Sequence, residues 1–190
     1  MDGNFENVNL KPKVMLTIQI KDKDGNIVKE IIKEDDPLTR WAIRSLYAFL
    51  TASGVNIKCE DGAFRVLTPT NFSGWPTDTK IMFWDYKIAI GLDSTPPSYE
   101  DFKLGAKERE STTLTTTSLT ETDSTGQFDI KMDFLIETDK TFYEFGLFGL
   151  GRYGGSQYPF LVSRDVVSAG VPVPANSYLT VIYRVILGTV

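Results

Sequence analysis

Apolar and polar residues alternate along several stretches of this chain, with the period of two that is typical of half-buried β-strands. The first stretch runs from Val14 to Ile20, and a second runs from Ile27 to Ile32. Between them, residues 22–26 read Asp-Lys-Asp-Gly-Asn, and Asp-Gly or Gly-Asn between two such stretches is typical of a tight hairpin turn. The pattern therefore predicts a β-hairpin here.

One segment has helical spacing instead. Between Pro37 and Ser53 the apolar residues recur every three or four positions, as they do along one face of an amphipathic helix. Asp36 is placed to cap the N-terminus, Pro37 suits the first helical position, and Gly54 suits a position just past the end. We predict one substantial helix over 37–53, packed against a sheet or another subunit.

Strand patterns dominate the chain beyond Gly54. The apolar stretches lie at 57–59, 64–67, 84–90, 128–136, 142–150, 158–162 and 179–187. Residues 111–125 hold eleven Ser or Thr, which favours a Thr-rich strand over a linker, and 99–104 fits one helical turn. Many short strands, one helix and no strand–helix alternation predict a mainly β fold, an antiparallel β-sandwich or jelly-roll-like domain.

Length and composition fit one domain. Of the 190 residues, 42% are hydrophobic, which is enough to form a core, and the polar residues 1–12 precede the first strand pattern. We therefore expect an N-terminal arm over 1–12 and one β-rich domain over 13–190. The N-terminus has no leader pattern and no apolar stretch approaches roughly 18 residues, so we expect a soluble chain made in a cytoplasm. A net charge of −5 gives no attraction to nucleic acid or membranes.

The chain has no histidine and a single cysteine, Cys59. This composition excludes a Ser-His-Asp or Cys-His nucleophile system and the common zinc sites. Paired carboxylates and an activated lysine remain as catalytic routes. We expect a protein that is not an enzyme, with no catalytic residue, metal ligand or cofactor, and with Cys59 as a small core residue.

Glu144 is the most informative charged residue, because its neighbours from 142 to 148 are otherwise apolar. A carboxylate in such a strand needs a cationic or hydrogen-bonding partner. We predict that Glu144 is buried in a structural ion pair with Arg152 or Arg164. A catalytic carboxylate pair, as in glycosidases, is the alternative. Its candidates are Glu100, Asp101, Asp129, Asp133, Glu137, Asp139 and Glu144.

Three other patterns each have a structural and a functional interpretation. Residues 149–154 match G-x-G-x-x-G, but a loop and another strand follow them where nucleotide binding needs a helix. The acidic residues of the 22–26 turn lack the length and final glutamate of a calcium loop, which favours a plain turn. Four aromatic residues suit either the core or a sugar-binding platform. These are Trp75, Trp84, Tyr153 and Tyr158.

Three segments resemble, in this order, structural proteins of tailed viruses from phages and their archaeal relatives. The first is Ile88-Ala89-Ile90-Gly91 with the Ser-Thr-Pro-Pro turn at 94–97 and Leu104. The second is Tyr-Glu-Phe-Gly-Leu-Phe at 143–148. The third includes Arg164, the Ala-Gly pair at 169–170 and the closing strand at 176–183. The resemblance implies a virion component and carries no catalytic residue.

The expected function is therefore that of a non-enzymatic virion structural protein of the head, neck or tail. It would assemble as repeated copies through apolar and strand-edge contacts, with itself and with other virion proteins as partners. Phe5, Val8 and Leu10 would make the arm an assembly element. We expect the protein in the virion, after synthesis in the host cytoplasm. The alternatives are a carbohydrate-binding or host-recognition β-sandwich and, more weakly, a carboxylate-dependent glycoside hydrolase.

Overall fold

A computed structural model describes residues 13–36, 38–51, 54–67, 83–122 and 125–188. Within these ranges the chain forms one helix, α1 (Arg40–Thr51). The strands are β1 (Lys13–Lys21), β2 (Ile27–Asp36), β3 (Val55–Lys58), β4 (Phe64–Leu67), β5 (Phe83–Gly91), β6 (Lys107–Ser111), β7 (Thr115–Thr116), β8 (Thr120–Glu121), β9 (Thr125–Ile136), β10 (Lys140–Tyr153), β11 (Ser156–Val173) and β12 (Ser177–Gly188).

The strands form two main antiparallel sheets and a separate hairpin. Sheet A has the order β2-β1-β12-β9-β7, and β8 also pairs with β9. Sheet B has the order β11-β10-β5-β6, and β3 pairs with β4. The chain crosses from sheet A to sheet B through 137–139 and returns through 174–176, so these links lie at one end of both sheets.

The main core lies between sheets A and B. In β1 the alternate residues Val14, Leu16, Ile18 and Ile20 are buried, as the period-two pattern predicts. They belong to one apolar cluster with inward residues of β12 and with residues of sheet B such as Phe145. Burying each large apolar side chain contributes about 1.5–3 kcal/mol. The prediction of a mainly β, antiparallel, sandwich-like fold with one substantial helix is confirmed.

Helix α1 begins later than the sequence pattern predicts. Asp36 is the last residue of β2 and not a helix cap, so that prediction is wrong. Thr39 takes the role, because its Oγ1 accepts a hydrogen bond from the N–H of Ala42 at 3.3 Å. The same hydroxyl donates to the Leu161 carbonyl, and the Thr39 N–H donates to the Val162 carbonyl. Both carbonyls lie in β11, at the point where its register with β10 shifts. The capping residue is therefore fixed by a contact with a distant strand. Positions 37 and 52–53 of the predicted helix lie outside the described residues.

Two other local predictions need correction. In the described part of 111–125, the stretch between β6 and β9 forms the two short strands β7 and β8, and its side chains compete for backbone groups that a longer ladder would use. Thr117 Oγ1, for example, accepts the N–H of Asp129 at 2.8 Å. Residues 99–104 form a turn and not a helical turn. This turn is held by a hydrogen bond from the N–H of Ser98 to the Asp101 carboxylate at 2.8 Å.

No helix within the described ranges is long and apolar enough to span a membrane.

Candidate functional site: a buried ion cluster beneath the 92–106 loop

Glu144 of β10 is the centre of the most polar buried site in the described structure. Its side chain is completely inaccessible to solvent. Its Oε1 accepts hydrogen bonds from the N–H groups of Ala106 at 2.6 Å and Asp93 at 3.4 Å, and its Oε2 accepts one from Gly105 at 2.9 Å. The carboxylate therefore holds both ends of the 92–106 loop against sheet B.

Arg164 of β11 supplies the opposite charge. Its Nε donates to Glu144 Oε2 at 3.0 Å, and its two terminal nitrogens reach Asp93 at 3.0 Å and Asp101 at 3.1 Å. One of these nitrogens also donates to the Thr95 carbonyl at 3.2 Å. Its side chain is only 4% exposed. The guanidinium thus bridges three carboxylates, two of which belong to the loop, and a buried charge of this kind is stable only when it is paired.

Arg164 and Asp93 keep their charges at neutral pH. Burial by itself lowers the pKa of Arg164, but hydrogen bonds and charge from Glu144 and Asp101 outweigh burial and leave that pKa above its ordinary value. Hydrogen bonds from the N–H and hydroxyl of Thr95 lower the pKa of Asp93, and the charge of Arg164 lowers it further. Both shifts move the pKa away from neutral pH, so neither Arg164 nor Asp93 is poised for proton transfer near pH 7.

Glycines make room for the cluster. A Cβ at Gly91 would lie 2.4 Å from Glu144 Oε1 and 2.5 Å from the Ala106 carbonyl oxygen, and one at Gly105 would lie 1.9 Å from Asp93 Oδ2. Such separations are far below ordinary contact distance. Only glycine lets the loop and β5 approach the carboxylate this closely.

Each of the three segments that resemble tailed-virus proteins contributes at least one residue to this cluster, while the closing strand at 176–183 of the third segment lies in sheet A. The first supplies Gly91 and Leu104, the second supplies Glu144 and Gly146, and the third supplies Arg164. Leu104 covers Gly146 and joins a small apolar cluster on the face of sheet B that points away from the main core. These motif residues therefore have a structural role, because they pack together beneath the loop.

Of the two arginines that the sequence offers to Glu144, the structure uses Arg164. Arg152 is not its partner, because it lies eight residues further along β10, roughly 26 Å away at the usual rise of a strand. It sits near the hairpin turn, opposite Gln157 of β11. Spacing along one strand could not identify the partner, since Arg164 reaches Glu144 across the sheet.

A second charged network lies beside this cluster and was not foreseen from the sequence. Lys87 of β5 is almost fully buried, and its Nζ contacts Glu60 at 2.6 Å and Glu110 at 2.7 Å. Lys107 contacts the same two carboxylates at 2.9 and 2.7 Å. Lys87 also lies 4.8 Å from the centre of the Phe148 ring. The two lysines tie the β3–β4 turn to β5 and β6.

Asp165 is a second buried carboxylate that the sequence pattern did not single out. It lies on β11 next to Arg164 and is fully buried. Lys33 of β2 approaches it to 3.4 Å, and the Ser163 hydroxyl donates to it at 3.2 Å. This contact joins the edge strand of sheet A to the edge strand of sheet B.

The seven carboxylates considered for catalysis all have partners. Asp129 and Asp133 lie on the outward face of sheet A, as the strand pattern predicts. The contacts are Glu100 with Arg40, Asp101 and Glu144 with Arg164, Asp129 with Arg184, Asp133 with Lys131, Lys21 and Thr180, Glu137 with Arg109, and Asp139 with the N–H of Ala175. Within the described ranges no three acidic or sulfur side chains gather as a metal site would require.

The three described residues of the candidate aromatic platform lie in two separate places. Trp84 packs against the main core and donates its indole N–H to Ser45 at 2.9 Å. Tyr153 and Tyr158 lie together near the β10–β11 turn, with ring centres 6.5 Å apart, but the guanidinium of Arg65 covers Tyr158 at 3.8 Å. Trp75 lies outside the described residues.

The remaining motifs have structural roles where they are described. Gly149 and Gly151 of the G-x-G-x-x-G match lie within β10, and Gly154 has a φ of 58° in the hairpin turn that follows. The Asp22 carboxylate accepts the N–H groups of Asp24 and Asn26 and shapes the first hairpin turn.

Two further predictions concern single residues or the arm. Cys59 is buried, and burial raises the pKa of its thiol, which suits a core residue. The arm residues Phe5, Val8 and Leu10 lie outside the described residues.

Comparison with known proteins found no match to a family model, to a curated protein or to a solved structure. The described residues form an antiparallel β-sandwich with one helix, and the 92–106 loop is held on sheet B by a buried Glu–Arg cluster.

Proposed function

We propose that this chain is a non-enzymatic structural subunit of a tailed-virus particle, in its head, neck or tail, and that it assembles there as repeated copies. The observation that carries the proposal is the convergence of the three virion-like segments on the Glu144–Arg164 cluster. Because Glu144 and Arg164 of these segments hold a loop on a sheet, a scaffold role accounts for them. The partners taken up by the seven candidate carboxylates argue against the hydrolase alternative.

The surface of sheet A supports assembly through apolar and strand-edge contacts. Strand β2 lies at the edge of the sheet, and its residues Ile27, Val28 and Ile32 are each more than half exposed. Exposed apolar residues on a free strand edge are the feature that pairs with other chains, and soluble monomers usually protect such edges.

The test is the mass of the purified chain in solution, measured by light scattering after gel filtration over a range of concentrations. We expect a defined oligomer, and electron microscopy is expected to show closed rings or regular arrays of it. A chain that stays monomeric at every concentration, and that does not join particles when it is supplied during their assembly, would contradict the proposal.

One observation favours a second candidate, recognition of a host glycan. Tyr153 presents an exposed ring at the tip of the β10–β11 hairpin, beside Tyr158. Aromatic rings exposed in this way suit the apolar faces of sugars. A glycan array tests this candidate, with Tyr153→Ala expected to abolish any signal and Tyr99→Ala, at an equally exposed tyrosine, expected to preserve it.

A further inference from the structure

Strand β2 is an edge of sheet A that keeps exposed apolar residues among its charged ones, although its pairing with β1 shifts register at two points. Along the described part of the chain its backbone pairs with β1 alone, and residues 27–30 are all exposed. Ile32 and Glu30 lie on the outward face of sheet A opposite Thr17 and Gln19, and Glu30 accepts a hydrogen bond from Gln19. Val28 lies at a register shift of the strand and is 61% exposed. The strand has ten residues and contains no proline. Such an edge is a template for another strand.

Pairing of β2 with β2 of a second copy is disfavoured by charge. A two-fold axis requires opposed residues to point to the same face, which leaves three central registers. Centred on residue 30, the pairing places Glu30 against itself. Centred on residue 31, it places Lys29 against Lys33. Centred on residue 32, it places Glu30 against Glu34. Like charges directly opposite each other are destabilising, so a different segment is the better occupant.

Building on the proposed function, we propose that residues 5–10 of one copy add as a strand to the free edge of β2 in a neighbouring copy. These residues read Phe-Glu-Asn-Val-Asn-Leu, in which Val8 and Leu10 alternate with asparagines. The alternation places both apolar side chains on one face, beside Val28 and Ile32. The asparagines lie on the other face and bring no like charge to the lysines of β2. Glu6 shares the face of Val8 and Leu10, and a register that places it opposite Val28 or Ile32 keeps it from facing Glu30 or Glu34.

The length of the arm and its position favour a neighbouring copy as the acceptor. Twelve residues reach about 40 Å when extended, enough to leave one domain and cover a ten-residue strand on the next. In its own copy the arm joins β1 at Lys13, near the end of β2. There the chain leaves sheet A, pairs Leu38 with Ser163 of β11 and enters α1, so an arm that turned back onto its own β2 would have to pass this segment. The resulting contact is head-to-tail, the kind that closes into rings.

Two variants test the arm and the edge of β2 separately. Deleting residues 2–10 leaves a chain with a free edge and no arm. The double variant Val28→Lys/Ile32→Lys keeps the arm and charges the edge, and the new lysines alternate with Glu30 and Glu34, so that β2 itself remains favourable. Each variant alone is expected to be monomeric by gel filtration with light scattering, with self-association weakened about tenfold or more (1.4 kcal/mol per tenfold). Mixed together, they are expected to form a 1:1 heterodimer.

A matched control is Leu119→Lys/Leu135→Lys, which adds the same charge at two exposed leucines outside β2 and is expected to assemble as the unaltered chain does. Circular dichroism and melting temperature establish that every variant is folded. If the arm-deleted chain dimerises by itself, β2 pairs with β2 and the inference is wrong. If the mixture stays monomeric while the unaltered chain assembles, the arm contact is wrong but the proposed function stands. If the unaltered chain never assembles, both fail.

Discussion

Two arginine–carboxylate pairs in this molecule have similar contact distances and very different surroundings. Glu144 and Arg164 approach to 2.9 Å beneath the 92–106 loop, where their side chains are 0% and 4% exposed. Asp129 and Arg184 approach to 2.7 Å on the outward face of sheet A, where their side chains are 22% and 43% exposed. The interacting groups are the same, but only the first pair has been removed from water.

The comparison shows that burial, and not the length of the contact, decides what such a pair does. An exposed pair contributes between zero and about 1 kcal/mol, because water and salt screen it. A buried pair adds little net stability when intact, yet breaking it costs about 3–5 kcal/mol because an uncompensated charge is left behind. The first pair therefore fixes the position of the loop, since moving the loop would leave a buried charge unpaired. The second pair changes the free energy of unfolding only slightly.

The largest expected effect comes from breaking the buried pair. Glu144→Gln removes the charge that faces Arg164 and places an amide opposite three N–H donors. We expect a loss of about 3 kcal/mol in the free energy of unfolding, measured in urea. Asp129→Asn is the control at the exposed pair and is expected to lose less than about 1 kcal/mol. Equal losses in the two variants would refute the distinction.

A smaller loss is expected from crowding the same site without changing its charge. Gly91→Ala places a methyl group against the Glu144 carboxylate and the Ala106 carbonyl, and overpacking of this kind costs about 1–3 kcal/mol. Gly126→Ala is the matched control in β9, because its added Cβ comes no closer than 3.4 Å to any neighbour. We expect the melting temperature to fall for the first variant and to stay nearly constant for the second.

The network around Lys87 has intermediate exposure and is predicted to be sensitive to acid. Burial by itself raises the pKa of Glu110, but hydrogen bonds from Lys107 and Lys87 outweigh burial and leave the pKa below its unfolded value of 4.5. The unfolded chain therefore takes up the proton first as pH falls. The stability that Glu110 contributes is complete well above pH 4.5 and is lost as pH drops through the lower folded pKa.

Glu110→Gln tests this pH dependence. The side chain is 42% exposed, so we expect the variant to lose no more than about 1 kcal/mol at pH 7. The gap between it and the unaltered chain should narrow when unfolding is measured at pH 3. If the difference in free energy of unfolding grew on acidification, the pKa of Glu110 would be raised by folding and not lowered.

The smallest effect is expected at the exposed pair itself. Arg184→Gln breaks two hydrogen bonds to Asp129, of 2.7 and 2.9 Å, but leaves that carboxylate in contact with water. We expect a loss of a few tenths of a kcal/mol in low salt, which fades as ionic strength rises and screening shortens the range of the charges. A loss above about 2 kcal/mol that persists in about 1 M salt would mean that the outward face of sheet A is shielded from water in solution.

The sequence alone determined the local elements that depend on near neighbours. Alternation predicted β1, β2, β5, β9 and β12, and helical spacing predicted α1, because a side chain's face follows directly from its position in a strand or helix. Glu144 was identifiable for a similar reason, since a single carboxylate among aromatic neighbours cannot be left without a partner.

Only the tertiary structure decided which distant groups meet. It selected Arg164 over Arg152, moved the helix cap from Asp36 to Thr39, and brought Lys87 to two glutamates far from it in sequence. It also left β2 at an edge, although its pattern is that of any strand. The physical reason is that pairing, capping and exposure depend on how separate strands are ordered across a sheet, and residue spacing along one strand carries no record of that order.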